Sequence, residues 1–297
     1  MAGALWSFWQ RGRNVERAGY VVGVLLLSSG LIHLGILLIG GGSWEGPLSL
    51  RKATTFGLSF GLTLITIVWV ASLLRIGDRW RAALLGAFTI ASALETLLVS
   101  LQAWRGVPSH FNVETPFDAL VTRGLAAGGV ALIAIIAALT LAAFRADPMV
   151  PLSLRTAIRI GFVILFTSLI VGGLMIARGM QLVFAGSPQA AYATGGIFKP
   201  THAVTMHAIL VLPLVAWLLS FVGWTERRRL RVVLLAAAGY VVLAGGVAVE
   251  NFAGLGSSPV PTAIVVPLLG ALALLAAGLL AVTGVARAFT PDGVQHD

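Results

Sequence analysis

Four of the five histidines, one mid-segment glutamate and a few arginines carry nearly all the chemistry open to this chain, which has no cysteine. Imidazoles can ligate iron, a carboxyl can exchange a proton, and guanidinium groups can hold an anion. Without thiols, iron–sulfur clusters, thiolate metal sites and covalent c-type haem attachment are excluded. Any haem would be a non-covalent haem b.

The histidines are His33, His110, His202 and His207. His202 and His207 are separated by five residues, which on an α-helix turns about 140°. The two rings do not share a face unless the helix is distorted, and this is not the i, i+4 spacing of a helical zinc site. No metal site is therefore assigned. Depth along the apolar segments matches His207 with His33 and His202 with His110. Bis-imidazole ligation of a haem needs one such pair facing across a bundle. Met175, Met180 and Met206 lie near His207, but methionine is ordinary core material and assigns no copper.

Glu95 falls roughly 14 Å below the end of its apolar segment, at a depth similar to His33 and His207. A charge there costs several kcal/mol unless paired or hydrated, so Glu95 is expected to face inward, toward His33, His207 or Arg123. Its structural alternative is a neutral acid joining neighbouring helices. Glu250 ends a later segment. Above this tier the run Gln102-Ala-Trp-Arg105-Gly-Val-Pro-Ser-His110-Phe-Asn112 is dense in hydrogen-bonding groups, with Asp118 and Arg123 following. Arg178 and Lys199 lie at corresponding ends of other segments. Arg105, Arg123 and Arg178 would meet haem propionates or another anion. Equally, Arg105-Gly and Arg178-Gly read as helix C-caps with snorkelling arginines.

The elements that must position these groups are membrane helices. Hydrophobic residues make up 58% of the 297 positions, charged residues 10%, and mean hydropathy is +0.96. A soluble chain carries about 25% charged residues. Apolar runs place spans at about 19–41, 53–74, 82–104, 118–144, 156–180, 201–223, 230–250 and 262–286. The expected fold is all-α and polytopic, a single membrane domain over 1–297, with 288–297 a disordered tail that includes His296. The opening of span two, Lys52-Ala-Thr-Thr-Phe-Gly-Leu-Ser-Phe, lies well over Lys199-Pro-Thr-His-Ala-Val-Thr-Met-His of span six. This allows parallel repeats over 17–145 and 155–286; convergence of similar flanks is the alternative.

One set of connections holds 14 of the 20 basic residues and the other six. The positive-inside rule then puts both termini in the cytoplasm, with the histidines and Glu95 in the outer half. The arginine-rich composition suits a bacterial inner membrane. Trp6, Phe8 and Trp9 beside Arg11 and Arg13 form an interfacial anchor rather than a cleaved signal. The basic balance reflects topology and anionic lipid, and no nucleic-acid motif is present.

These features support an outward-facing His/Glu/Arg pocket. The leading expectation is a redox protein binding haem b or quinone, with His33 and His207 as axial ligands. The alternative is a transporter or channel for a small solute or ion, with Glu95 as coupling site. A third reading is a non-catalytic subunit of a membrane complex, its partner another membrane protein. Gln102, Asn112 and Lys199 belong to the rim in each case.

Overall fold

The computed structural model describes residues 2–46, 48–145, 148–194, 198–254 and 261–289. They form α1 (Ala2–Arg11), α2 (Asn14–Ile39), α3 (Arg51–Ser72), α4 (Asp78–Trp104), α5 (Pro116–Ala143), α6 (Leu152–Phe184), α7 (Pro188–Thr194), α8 (Lys199–Met206), α9 (Ala208–Leu219), α10 (Glu226–Phe252) and α11 (Pro261–Ala288). Among the described residues, eight segments are long and apolar enough to cross a membrane: α2 to α6, α10, α11, and α8 with α9 as one interrupted span. The chain is an all-α polytopic membrane protein. Most of the tail expected after residue 288 lies outside the described residues.

Each span forms where a long apolar run meets a stop signal. After α4, Gly106 adopts φ 66°, Val107 N–H donates to Gln102 O at 3.1 Å and Gly106 N–H to Ala103 O at 3.1 Å. That is a Schellman closure, which needs the left-handed residue that glycine supplies. The Arg105-Gly pair is thus a helix C-cap. Arg178-Gly does not behave the same way, and the expected end near 180 is corrected: α6 runs on to Phe184. Its closing glycine is Gly186, at φ 75°, with Ser187 N–H donating to Leu182 O at 2.9 Å.

The residues group into two compact units that share α5 and α6 along the chain: Ala2–Leu139 with Leu169–Ile197, and Thr140–Ser168 with Phe198–Asp297. In the first unit α2 and α3 cross in backbone contact. A Cβ on Gly57 would lie 2.5 Å from Gly30 N and 2.8 Å from Leu26 O; one on Gly61 would lie 2.6 Å from Leu27 N. Apolar helices gain nothing by leaving lipid for each other, so close packing across small residues has to hold them. Next along the chain, α4 and α5 run antiparallel, with Leu98 Cδ1 3.4 Å from a Cβ on Gly124. The second unit repeats the device between α10 and α11, where a Cβ on Gly239 would lie 2.8 Å from Gly270 O.

One end of the first unit is held by ions. Glu16 and Arg81 are only 2% and 4% exposed. The Arg81 guanidinium donates to Ala71 O, to Leu74 O at 2.9 Å and to Ile76 O at 3.3 Å, and lies 3.7 Å from Glu16. Glu16 also accepts from Arg13 N–H at 2.8 Å, and Arg13 pairs with Asp78 at 2.9 Å. Arg81 therefore adds a second donor to carbonyls at the end of α3, where Ala71 O and Leu74 O already take the N–H of Leu74 and Ile76, and ties α2, α3 and α4 together.

The glycine crossing predicts a position-specific cost. Gly57→Val should lower stability by about 2 kcal/mol through overpacking, because backbone atoms cannot move aside. Gly35→Val, where a Cβ meets nothing within 4 Å, should be neutral. Unfolding of the two variants in detergent checks this; equal losses would mean that the α2–α3 contact is looser than described.

Candidate functional site

The polar groups of the α4–α5 hairpin assemble in two layers. At the end of α4, Gln102 and Asp118 are 0% and 2% exposed. Asp118 accepts from Gln102 Nε2 at 2.9 Å, from Thr115 Oγ1 at 2.6 Å and from Arg105 Nη1 at 2.5 Å. Arg105 also donates to Gln102 Oε1 and lies 4.7 Å over the Phe117 ring. The sequence reading placed Arg105 on a propionate or solute anion; the structure gives it an internal carboxylate. Arg123 and Arg178 are exposed, and Lys199 and Glu250 are partly covered.

Between the two helices the chain turns inward. Ser109 Oγ and His110 Nδ1 lie 2.9 Å apart, and the His110 ring sits 5.9 Å from Phe56 and 6.1 Å from Phe111. Burial, reinforced by the positive charge of Lys52, pushes the His110 pKa down to about 3, so the ring is neutral near pH 7. Phe111 stands at φ 64° and packs on Gly179 of α6, where any Cβ would strike its ring. A bulky residue in that region stores strain of about 1–3 kcal/mol, and it persists only where the surroundings enforce it. Asn112 is fully buried. Its Oδ1 accepts from Glu114 N–H at 3.1 Å and its carbonyl from Thr122 Oγ1 at 2.7 Å. Its Nδ2 has no acceptor among the described residues. On α7, burial aided by Glu114 and Asp118 raises the Tyr192 pKa.

Deeper along α4, Glu95 is 5% exposed. Its carboxyl rests on the bare backbone of Gly128 in α5, where a Cβ would clash with Oε1 and sit 3.2 Å from Cδ. Oε1 accepts no hydrogen bond among the described residues. Of the expected partners, Arg123 is exposed and His33 is engaged elsewhere. Trp104 Nε1 donates to His33 Nε2 at 3.0 Å, which makes Nδ1 the protonated nitrogen, donating to Ser29 O at 2.8 Å. Both ring nitrogens are used, so axial ligation by His33 would require both Trp104 and the tautomer to change. Trp104 was not legible as a partner; it reads as an interfacial aromatic.

In the second unit, span six is broken. The α-helical ladder stops at His207, whose N–H bonds to Val204 O at 3.3 Å in a tighter turn, and Pro213 lies six residues on. The carbonyls at the break take side-chain donors: Val204 O also accepts from Tyr240 Oη at 2.7 Å, and Ala203 O from His207 Nδ1 at 2.5 Å. His202 Nδ1 donates to Ser168 O at 2.8 Å, and Ser168 Oγ donates back to His202 O at 2.8 Å. Asn251 Oδ1 accepts from Thr201 N and Oγ1 at 3.1 and 2.7 Å. Both imidazoles are thus held as the tautomer that leaves the Nε2 lone pair available, the second-sphere pattern of many ligating histidines. The 140° separation of an ideal helix does not apply across the break. Neither Ser168 nor Tyr240 carries a sequence signal for this role.

A cavity of about 490 Å³ opens at the α2–α3 connection, lined by Ile36, Leu37, Leu48 and Leu50 with Ser43 and Glu45. None of the groups described above borders it, and Glu45 is paired with Arg51 at 3.3 Å. Among the described residues no three histidines or carboxylates gather in a way that could hold a metal ion. No protein-family model, curated protein or solved structure matches the chain.

His110 gives a pH dependence. Its folded pKa of about 3 lies below the ordinary value near 6.5, so below about pH 6.5 the unfolded chain binds a proton that the folded loop refuses. Its contribution is complete above about pH 6.5 and is lost progressively as pH falls toward 3. Thermal unfolding of wild type should therefore drop more steeply between about pH 6.5 and 4 than that of His110→Phe. Parallel curves would count against a neutral, half-buried His110.

Proposed function

We propose that the chain is a bacterial inner-membrane protein, with both termini cytoplasmic, that moves a small solute or ion, and that Glu95 is its coupling group. The observation that carries this reading is a carboxyl with 5% exposure and an unbonded Oε1, set against a glycine. A carboxylate in hydrocarbon costs about 3 kcal/mol or more. Packing glue would be bonded to a neighbouring helix, and Glu95 Oε1 is not. A lone acid of this kind suits a cycle in which it is neutral when covered and ionised when water or solute reaches it. The arginine bias of the connections supports the orientation.

Solid-supported-membrane electrometry on proteoliposomes tests it, using a panel of alkali and organic cations, neutral amides and ketones, and organic acids. At least one class should give a transient current, and Glu95→Gln should abolish it. Gly128→Val, which displaces the carboxyl, should reduce the current at least tenfold. Currents indifferent to Glu95→Gln would sink the assignment.

Haem b is a second reading, favoured by the Nε2 lone pairs of His202 and His207, each ring being fixed through Nδ1. Quinone would be the natural redox partner in that case. Protein purified after ample haem supply should then show a Soret band, lost in His207→Ala or His202→Ala. A colourless protein overturns this reading and leaves the first intact.

A further inference from the structure

We propose that the inward-turned α4–α5 connection holds a binding subsite for a carbonyl oxygen on a flat apolar molecule, with the Asn112 carboxamide as donor. This deepens the transport reading, on which it rests, by naming the chemical class of the solute.

The carboxamide orientation is fixed from one side. Oδ1 accepts the Glu114 N–H at 3.1 Å, and an amide nitrogen could not take that place because it has no lone pair to offer. The NH₂ group therefore points the other way, and on this fully buried side chain it finds no acceptor among the described residues. A buried donor left unsatisfied forfeits the hydrogen bonds it would make in water. The backbone around it is meanwhile over-determined, by the Schellman closure at Gly106, the Thr122 bond at 2.7 Å and the seating of Phe111 on Gly179. The loop is built to hold that donor in place.

The rings that run along the same connection point to the ligand class. Phe60, Phe56, His110 and Phe111 form a run of rings with successive centroid separations of 5.6, 5.9 and 6.1 Å. Flat apolar bodies pack well on such walls. His110 is uncharged, and its Nε2 has no partner among the described residues, so a second neutral polar contact is on offer. Arg105 is spent on Asp118. Lys52 is the cation whose field reaches His110, and a carboxylate ligand would have to rely on it. Asn112 is bonded to Thr122, which lies six residues before Gly128 on α5, about 9 Å along the helix. A ligand held by Asn112 would thus approach Glu95 from the loop side. Ser100 Oγ, also without a partner among the described residues, lies on α4 five residues after Glu95.

The test is ligand-dependent thermal unfolding of the full chain in detergent, with 1,4-naphthoquinone, benzamide, benzoate and naphthalene. The chain has no cysteine to add to the quinone. Naphthoquinone, benzamide or both should raise the unfolding temperature saturably, and naphthalene should not. A response to naphthoquinone alone identifies a membrane-soluble source, and one to benzamide alone an aqueous source. Equal shifts with naphthalene, or a response to benzoate only, would overturn the proposal; this comparison needs no variant. Asn112→Asp keeps the bond from Glu114 and removes the donor, so affinity should fall at least tenfold. Unchanged affinity in that variant also overturns it. The two readings separate cleanly: binding of a carbonyl compound with no Glu95-dependent current from any class of the panel would end transport and leave the subsite standing. Glu95-dependent current without binding would do the reverse.

Discussion

Inside hydrocarbon no water completes a hydrogen bond, and every polar group has to be satisfied by the protein itself. This requirement organises the molecule. Carbonyls at the end of α3 take donors from Arg81, whose charge is in turn met by Glu16. Asp118 accepts from three side chains at the mouth of α4 and α5. Where span six breaks, Tyr240 and the His207 ring donate to the carbonyls at the break. Several hydroxyls, and the Nε of Arg81, Arg155 and Arg229, find no partner among the described residues. Glu95 and Asn112 are the carboxyl and the carboxamide left open in this way among the described residues.

The same solvent removes the usual reason for helices to associate, and packing has to supply it. Glycines at 30, 57 and 61 bring α2 and α3 to backbone contact, and Gly239 with Gly270 does so for α10 and α11. Gly128 uses the same absence of a side chain differently, to make room for the Glu95 carboxyl. Close approach and polar accommodation are two uses of one missing Cβ.

The spans could be read from apolar runs because hydrophobic length is a local property. So could the cap at Arg105-Gly, since its geometry depends on one glycine. Arg178-Gly has the same local pattern, yet α6 passes through it; there the glycine serves a contact with Phe111 from a distant loop, which nothing nearby encodes. The candidate site divides in the same way. Glu95 and the Gln102–Asn112 run announced themselves as polar groups in apolar surroundings. Their partners did not: Trp104 for His33, Ser168 for His202 and Gly128 for Glu95 are all contacts between elements. His202 and His207 were separated on the assumption of an unbroken helix, and the break at His207 removes that assumption.

The break has a consequence for how the second unit is specified. An eight-residue helix such as α8 is too short to be stable alone and is not continuous with α9. Its position is set from outside, by Ser168 on α6 and by Tyr240 and Asn251 on α10. The location of the two imidazoles is therefore written largely on helices that contain no histidine. Sequence change on α6 or α10 can re-aim them while α8 itself stays the same.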